Sequence, residues 1–309
     1  MHGYGTPAHN RGTMTTYSPS QISAISRLFS SSVIRELARN GKSPLFARLA
    51  REALAESRTL ATRQVYAFFD AAFEILKKAD CRHEYIYKAA LTHKVLLGKH
   101  SLQTASMLNE FRVGECKADV SILNGTATVY EIKSERDSLS RLEKQIETYK
   151  TFYAKVYVIA GENHLDGIRS IVTSDVGILK LSNRHQISTL REARDRPERT
   201  SPLTIFESIR ISEAKQILGL MEIRIPDVPN TEMHAALRAE FVKLNPVRAH
   251  AGMVQVLKTT RNLLPLADLV RSLPTSLQSA ALSTPLRRLD HVRLLRAVNT
   301  PLKNAMEWG

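Results

Sequence analysis

Ala118-Asp119-Val120-Ser121-Ile122-Leu123-Asn124-Gly125-Thr126-Ala127-Thr128-Val129-Tyr130-Glu131-Ile132-Lys133 is the stretch on which the fold turns. Asn-Gly between two runs rich in Val, Ile, Thr and Tyr is the strongest short-range hairpin signal. Thr126 to Ile132 is apolar on both faces, as an interior strand is. Side chains alternate with period two, so Glu131 and Lys133 share one face at the strand's end while Ile132 points into the opposite layer. The neighbouring strand brings Asp119 within reach of them. Charges in such a place are costly unless compensated, so the carboxylates call for a bound cation and for the lysine.

The sequence beyond Lys133 extends the pattern. A polar break at Ser134-Glu135-Arg136-Asp137-Ser138 precedes a predicted helix whose apolar residues Leu139, Leu142, Ile146, Tyr149 and Tyr153 recur at helical spacing. Ser140 and Glu143 have the form of a capping box. Two more apolar strands are predicted, at Lys155 to Ala160 and Val176 to Leu181. Before the hairpin, Glu84 to Leu91 reads as a helix and Met107 to Arg112 as a first strand.

Ala118-Asp119, eleven intervening residues, then Glu131-Ile132-Lys133 resembles the signature of the PD-(D/E)XK nuclease superfamily, with Ala118 in the place of the leading proline. The order helix, strands, helix, strand around it matches that superfamily's core. The resemblance covers about residues 83–182. It implies that Asp119, Glu131 and the Ile132 carbonyl hold magnesium, for which manganese substitutes, and that Lys133 orients or activates the attacking water. Gln145, one turn before Tyr149, stands where such nucleases carry a glutamine or lysine facing the site, and Tyr149 is a secondary candidate. Glu84 is ranked slightly ahead of Glu110 as a third acid. Their plain readings are a first-turn acid favoured by the helix dipole and a partner of Arg112 or Lys117. The whole chain also resembles an uncharacterised bacterial family that joins this core to helical flanks, with a suspected place in phage defence or mobile elements.

The fold expected is mixed α/β: a restriction-endonuclease-like αβββαβ core with mainly helical extensions. Its divisions are a disordered tail (1–18), a helical region (19–82), the nuclease-like core (83–182), a helix and linker (183–230), strand-free from Asn183 to Pro202, and a helical region (231–309). In the first region, Gly41 as a stop and Ser43-Pro44 as a start give a helix-turn-helix outline, although packing against the core is its favoured role. Thr62 to Lys78 forms a further helix with core aromatics. The last region is broken by proline into short helices, after a helix spanning Ile205 to Leu220.

The 309 residues carry a net charge of +14. Residues 1–100 hold 15 Lys and Arg against 7 Asp and Glu, residues 101–200 hold 15 against 14, and residues 201–309 hold 14 against 9. A polyanionic substrate would draw most of its attraction from the flanks. Nucleic-acid contacts are therefore expected at Arg48, Arg51, Arg293 and Arg296, with Arg141 and Lys144 beside the predicted site helix. No run approaches a membrane span, and Met1 to Ser18 lacks a secretory signal, so a cytoplasmic place is expected. Cys81 and Cys116 form neither a disulfide framework nor a zinc motif. His2 and His9 are too scattered for a metal site, and His93 and His100 read as structural or phosphate-contacting. The expectation is a magnesium-dependent endonuclease acting on DNA, with homo-oligomerisation left open. The rivals are a catalytically idle nuclease fold that binds DNA or protein, and a helical transcription regulator.

Overall fold

The computed structural model describes residues 17–54 and 63–309. The expected tail therefore lies outside the described residues apart from Tyr17 and Ser18, as do His2, His9, Arg58 and Thr62. Ser18 accepts from the Gln21 amide and Gln21 returns the bond, so this pair caps the first helix.

Helices α1 (Pro19–Leu28), α2 (Ser31–Asn40), α3 (Pro44–Leu54) and α4 (Val65–Lys77) lead to α5 (Glu84–Leu91). Gly41 ends α2 at φ +70°, a left-handed conformation that glycine adopts without strain. Strands β1 (Ser106–Val113), β2 (Cys116–Asn124) and β3 (Thr126–Lys133) follow, then α6 (Leu142–Lys150), β4 (Lys155–Ala160), α7 (Leu165–Ile171), β5 (Gly177–Leu181) and β6 (Ile187–Arg191). The chain closes with α8 (Pro202–Ser208), α9 (Ile211–Leu220), α10 (Asn230–Val242), α11 (Pro246–Thr260), α12 (Ala267–Ser272), α13 (Thr275–Ser283), α14 (Arg288–Val298) and α15 (Leu302–Ala305).

The fold is mixed α/β. Six strands form one sheet in chain order, with antiparallel β1-β2-β3, parallel β3-β4-β5 and antiparallel β5-β6. The parallel pairs are bridged by α6 and α7, as crossover connections require. Gly125, at φ +70°, turns β2 into β3. This places β3 in the interior, buried along nearly its whole length.

Helices cover both faces of the sheet. On one, Val120, Ile122, Tyr130, Ile132 and Ile159 pack with α1 to α5 and with α12 to α15. On the other, Val129, Val156, Val158 and Ile178 pack with α6 and with α8 to α11. The first layer joins regions far apart in sequence. Gln64 bridges Pro301, Val65 N–H donates to Thr300 O at 3.0 Å, Leu302 N–H donates to Arg63 O at 2.7 Å, and Ser276 Oγ donates to Asp70 at 2.6 Å. Residues 19–82 and 263–309 thus share one core, while α10 and α11 pack on the other face, so packing runs across the boundaries expected from sequence.

Three local expectations are corrected. Residues 183–202 are not strand-free: Ser182 to Gln186 forms a turn with His185 at φ +56°, and β6 returns along β5. Surrounding charges hid the Ile187-Ser188-Thr189-Leu190 run. The helix expected from Ile205 to Leu220 is two, parted at Ile209-Arg210, because Ser201 caps α8 and Glu213 accepts from the Arg210 amide to start α9. The capping box at Ser140 and Glu143 does not form. Ser140 N–H is taken by Ser138 Oγ at 3.2 Å, and the helix starts at Leu142.

Candidate active site

The site begins where strand alternation reverses. Met107 packs on the first face, yet Phe111 and Val113, of the same parity, pack on the second. On β2, Val120 and Ile122 pack on the first face and Ala118 on the second. The reversal on β1 falls at Glu110, whose φ of +53° is left-handed for a residue with a side chain. Glu110 stands opposite Asp119 in the β1-β2 register, and neither belongs to a paired position. Such an irregularity bends the strand and re-aims a side chain. Asp119 turns toward β3, where the β2-β3 pairing stops at Val120-Tyr130, and its Oδ2 accepts from Ile132 N–H at 2.8 Å.

Glu131, Lys133, Gln145 and Tyr149 meet beside it. Lys133 Nζ donates to Glu131 Oε1 at 2.8 Å and to Gln145 Oε1 at 2.9 Å. Tyr149 Oη lies 2.9 Å from Glu131 Oε2 and 2.9 Å from Lys117 O. Gln145 and Tyr149 are one turn apart on α6, so one helix face supplies both. Glu131 is 2% exposed and Lys133 6%, a depth at which the pair stands only because each charge is bonded. Burial pushes Asp119 up to about 8, with the Glu131 charge and then Glu84 adding to the effect and the Ile132 amide and Lys88 opposing it. Burial likewise raises the Tyr149 phenol, reinforced by Glu131, so it remains a neutral donor.

Glu84 and Glu110 sit further out, both joined to Lys88. Lys88 Nζ lies 2.6 Å from Glu84 and 3.4 Å from Glu110, and Lys117 also pairs with Glu110. The Lys117 bond holds Glu110 below the ordinary carboxylate range. Burial disfavours the Lys88 charge, but Glu84 and Glu110 outweigh it and raise its pKa. Lys88 was missed in the sequence, although its place four residues after Glu84 is a recognisable pair. Glu84, Lys88 and Glu110 line a cleft of about 480 Å³, which continues past Asn109 and Glu110 into a larger one of about 960 Å³ along β1.

The basic flank residues do not converge on this point. Arg48 and Arg296 are exposed, Arg51 donates to Met306 O at 2.6 Å and Arg293 to Arg39 O at 3.2 Å. Arg141 is exposed at the start of α6, and Lys144 pairs with Glu115 at 2.6 Å. His100 bonds the hairpin turn through Asn124 at 2.7 Å, a structural role.

Among the described residues no group of three or more His, Cys, Asp or Glu is placed to hold a metal. Asp119 and Glu131 supply two carboxyl groups, and burial first and then the Glu131 charge raise Asp119, so a cation there would favour its ionised form. Two carboxylates with retained waters suit magnesium, which is seldom caged by protein alone. Asp119 and Glu131 are the carboxylates that would hold it.

The mixed sheet, its helical layers and the forked β2-β3 hairpin lie within a stretch that matches a known family. Residues 77–261 match the family described as Bacteriophage P4 protein cII, and the chain belongs to that family. It is 33% identical over 109 residues to protein cII of Enterobacteria phage P4, a match covering 35% of this chain and 41% of that protein's length. A protein of unknown function from Silicibacter pomeroyi aligns over 39% of this chain and 82% of its own, at 15% identity and a TM-score of 0.27. Among the described residues, no helix is long and apolar enough to cross a membrane.

Proposed function

We propose that this protein is a magnesium-dependent nuclease of the PD-(D/E)XK type, hydrolysing phosphodiester bonds in DNA. One observation carries the reading: Asp119 is turned out of its strand onto the Ile132 amide, within the field of the Glu131 charge, beside a lysine shared between Glu131 and Gln145. A fold gains no stability from gathering buried like charges, so their retention points to a ligand. Magnesium at Asp119 and Glu131, with the Ile132 carbonyl, would supply Lewis acidity and a water that ionises near neutral pH.

The chain's own groups do the positioning. Glu131 is held by Lys133 on one oxygen and Tyr149 on the other. Gln145 fixes the lysine, leaving one of its three ammonium protons free for a water or a phosphate oxygen. Manganese should substitute, and a cytoplasmic role in phage defence or mobile-element biology agrees with a relative that comes from a phage.

A second reading is a nuclease fold that binds DNA or protein without cutting. It is favoured by the internal bonding of both Glu131 oxygens. The two part in a nuclease assay on DNA and RNA with Mg2+ or Mn2+. Cleavage by the parent and loss in Asp119→Ala and Lys133→Ala supports the first; no cleavage of any substrate overturns it.

A further inference from the structure

The edge of the sheet at β1 is not open surface. It forms the floor of the larger cleft, whose walls come from the α8-α9 junction, the segment between α11 and α12, and the start of α14. This cleft and the smaller one share Asn109, Glu110, Ser283, Thr284 and Pro285, so they form a single groove. Arg35 lines one end, and Arg112, Arg210 and Arg288 line the other. None of the four joins an ion pair among the described residues, whose arginine pairs use other side chains. His83, Asn109 and His291 also line it.

We infer that this groove binds a single strand of nucleic acid, with Arg35, Arg112, Arg210 and Arg288 on its phosphates. Three of the four cations sit at one end of the groove and Arg35 at the other, a separation that a chain of phosphates bridges and a lone nucleotide does not. A cleft of about 960 Å³ is within the range of small-ligand sites, a size that suits a few unpaired nucleotides better than a duplex. Glu110, common to both clefts and opposite Asp119, puts the strand beside the acidic row. What happens to the strand there rests on the nuclease reading; its binding does not.

The test is binding of a labelled single-stranded oligonucleotide of about 20 residues in EDTA, where no cutting occurs, against the same sequence as duplex, a mononucleotide and a poly-glutamate peptide. The single strand should bind tightest. Arg112→Ala/Arg210→Ala/Arg288→Ala should weaken it at least about tenfold and flatten the salt dependence by roughly 2, at about 0.7 per lost phosphate contact. Arg48→Ala/Arg296→Ala, outside the groove, should bind as the parent does. Preference for duplex, mononucleotide or acidic peptide, or parent-like binding by the triple variant, overturns the inference. Groove-dependent binding with no cleavage in Mg2+ would remove the nuclease reading alone. Cleavage without groove dependence would remove this one alone.

Discussion

Asp119→Asn should make the protein more stable while abolishing any metal-dependent activity. The folded state raises Asp119 from 3.8 to about 8, chiefly through burial and the Glu131 charge. Its destabilising effect is absent below pH 3.8, grows as pH rises and levels off past about 8. At pH 7 the full shift corresponds to about 4 kcal/mol. Asp119 keeps partial contact with solvent, so a gain of about 2 kcal/mol is the working figure. Asparagine retains an oxygen for the Ile132 amide but carries no charge for Glu131 to repel. Urea denaturation in EDTA at about pH 4 and about pH 7 measures the gain, which should nearly vanish at the lower pH. A variant less stable than the parent at neutral pH, or equally stabilised at both, would refute the electrostatic account. Adding Mg2+ should then stabilise the parent and not the variant, since a ligand stabilises only the state that binds it.

Lys133→Ala should cost about 3 kcal/mol by leaving Glu131 buried with one donor, and Glu131→Gln in the same chain should recover much of it; additive losses in urea melts would show that the two do not interact. Tyr149→Phe removes the donor to Glu131 Oε2 and should cost about 1–2 kcal/mol, with a loss under a few tenths marking the bond as unimportant. Burial pushes His250 down to about 4, and its Nε2 accepts from Ala127 N–H at 3.4 Å. Its stabilising contribution is present above about pH 6.5 and is lost as pH falls toward 4, amounting to about 2 kcal/mol by pH 5. His250→Gln should flatten that acid limb of the stability curve, and an unchanged limb would assign it to other groups.

The hairpin at Asn124-Gly125 and the interior strand after it were legible because turn chemistry and alternation are local. Gln145 and Tyr149 were legible for the same reason, being one turn apart on a helix already marked by its apolar stripe. The reversal at Glu110 was not, since nothing in Asn109-Glu110-Phe111 signals a left-handed residue; only the bend it makes toward β3 is visible. Nor was the shared helical layer, whose bonds join residues such as Asp70 and Ser276, 206 positions apart. The flanking arginines were placed by charge count alone, and charge does not say which surface a helix presents. Arg112, Arg210 and Arg288 come together in the groove only through the tertiary fold.

The clasp between Arg63-Gln64-Val65 and Thr300-Pro301-Leu302 sets an order on biosynthesis. Helices α1 to α4 leave the ribosome with apolar faces whose partners, α12 to α15, are still to be translated. At 5–20 residues per second, a separation of 206 residues means roughly ten to forty seconds of waiting. The nascent amino-terminal helices must spend that interval exposed or shielded by a chaperone. The matched stretch, residues 77–261, lies wholly between the two halves of the clasp, so in this chain the family's shared sequence is held like an insertion whose closure comes last.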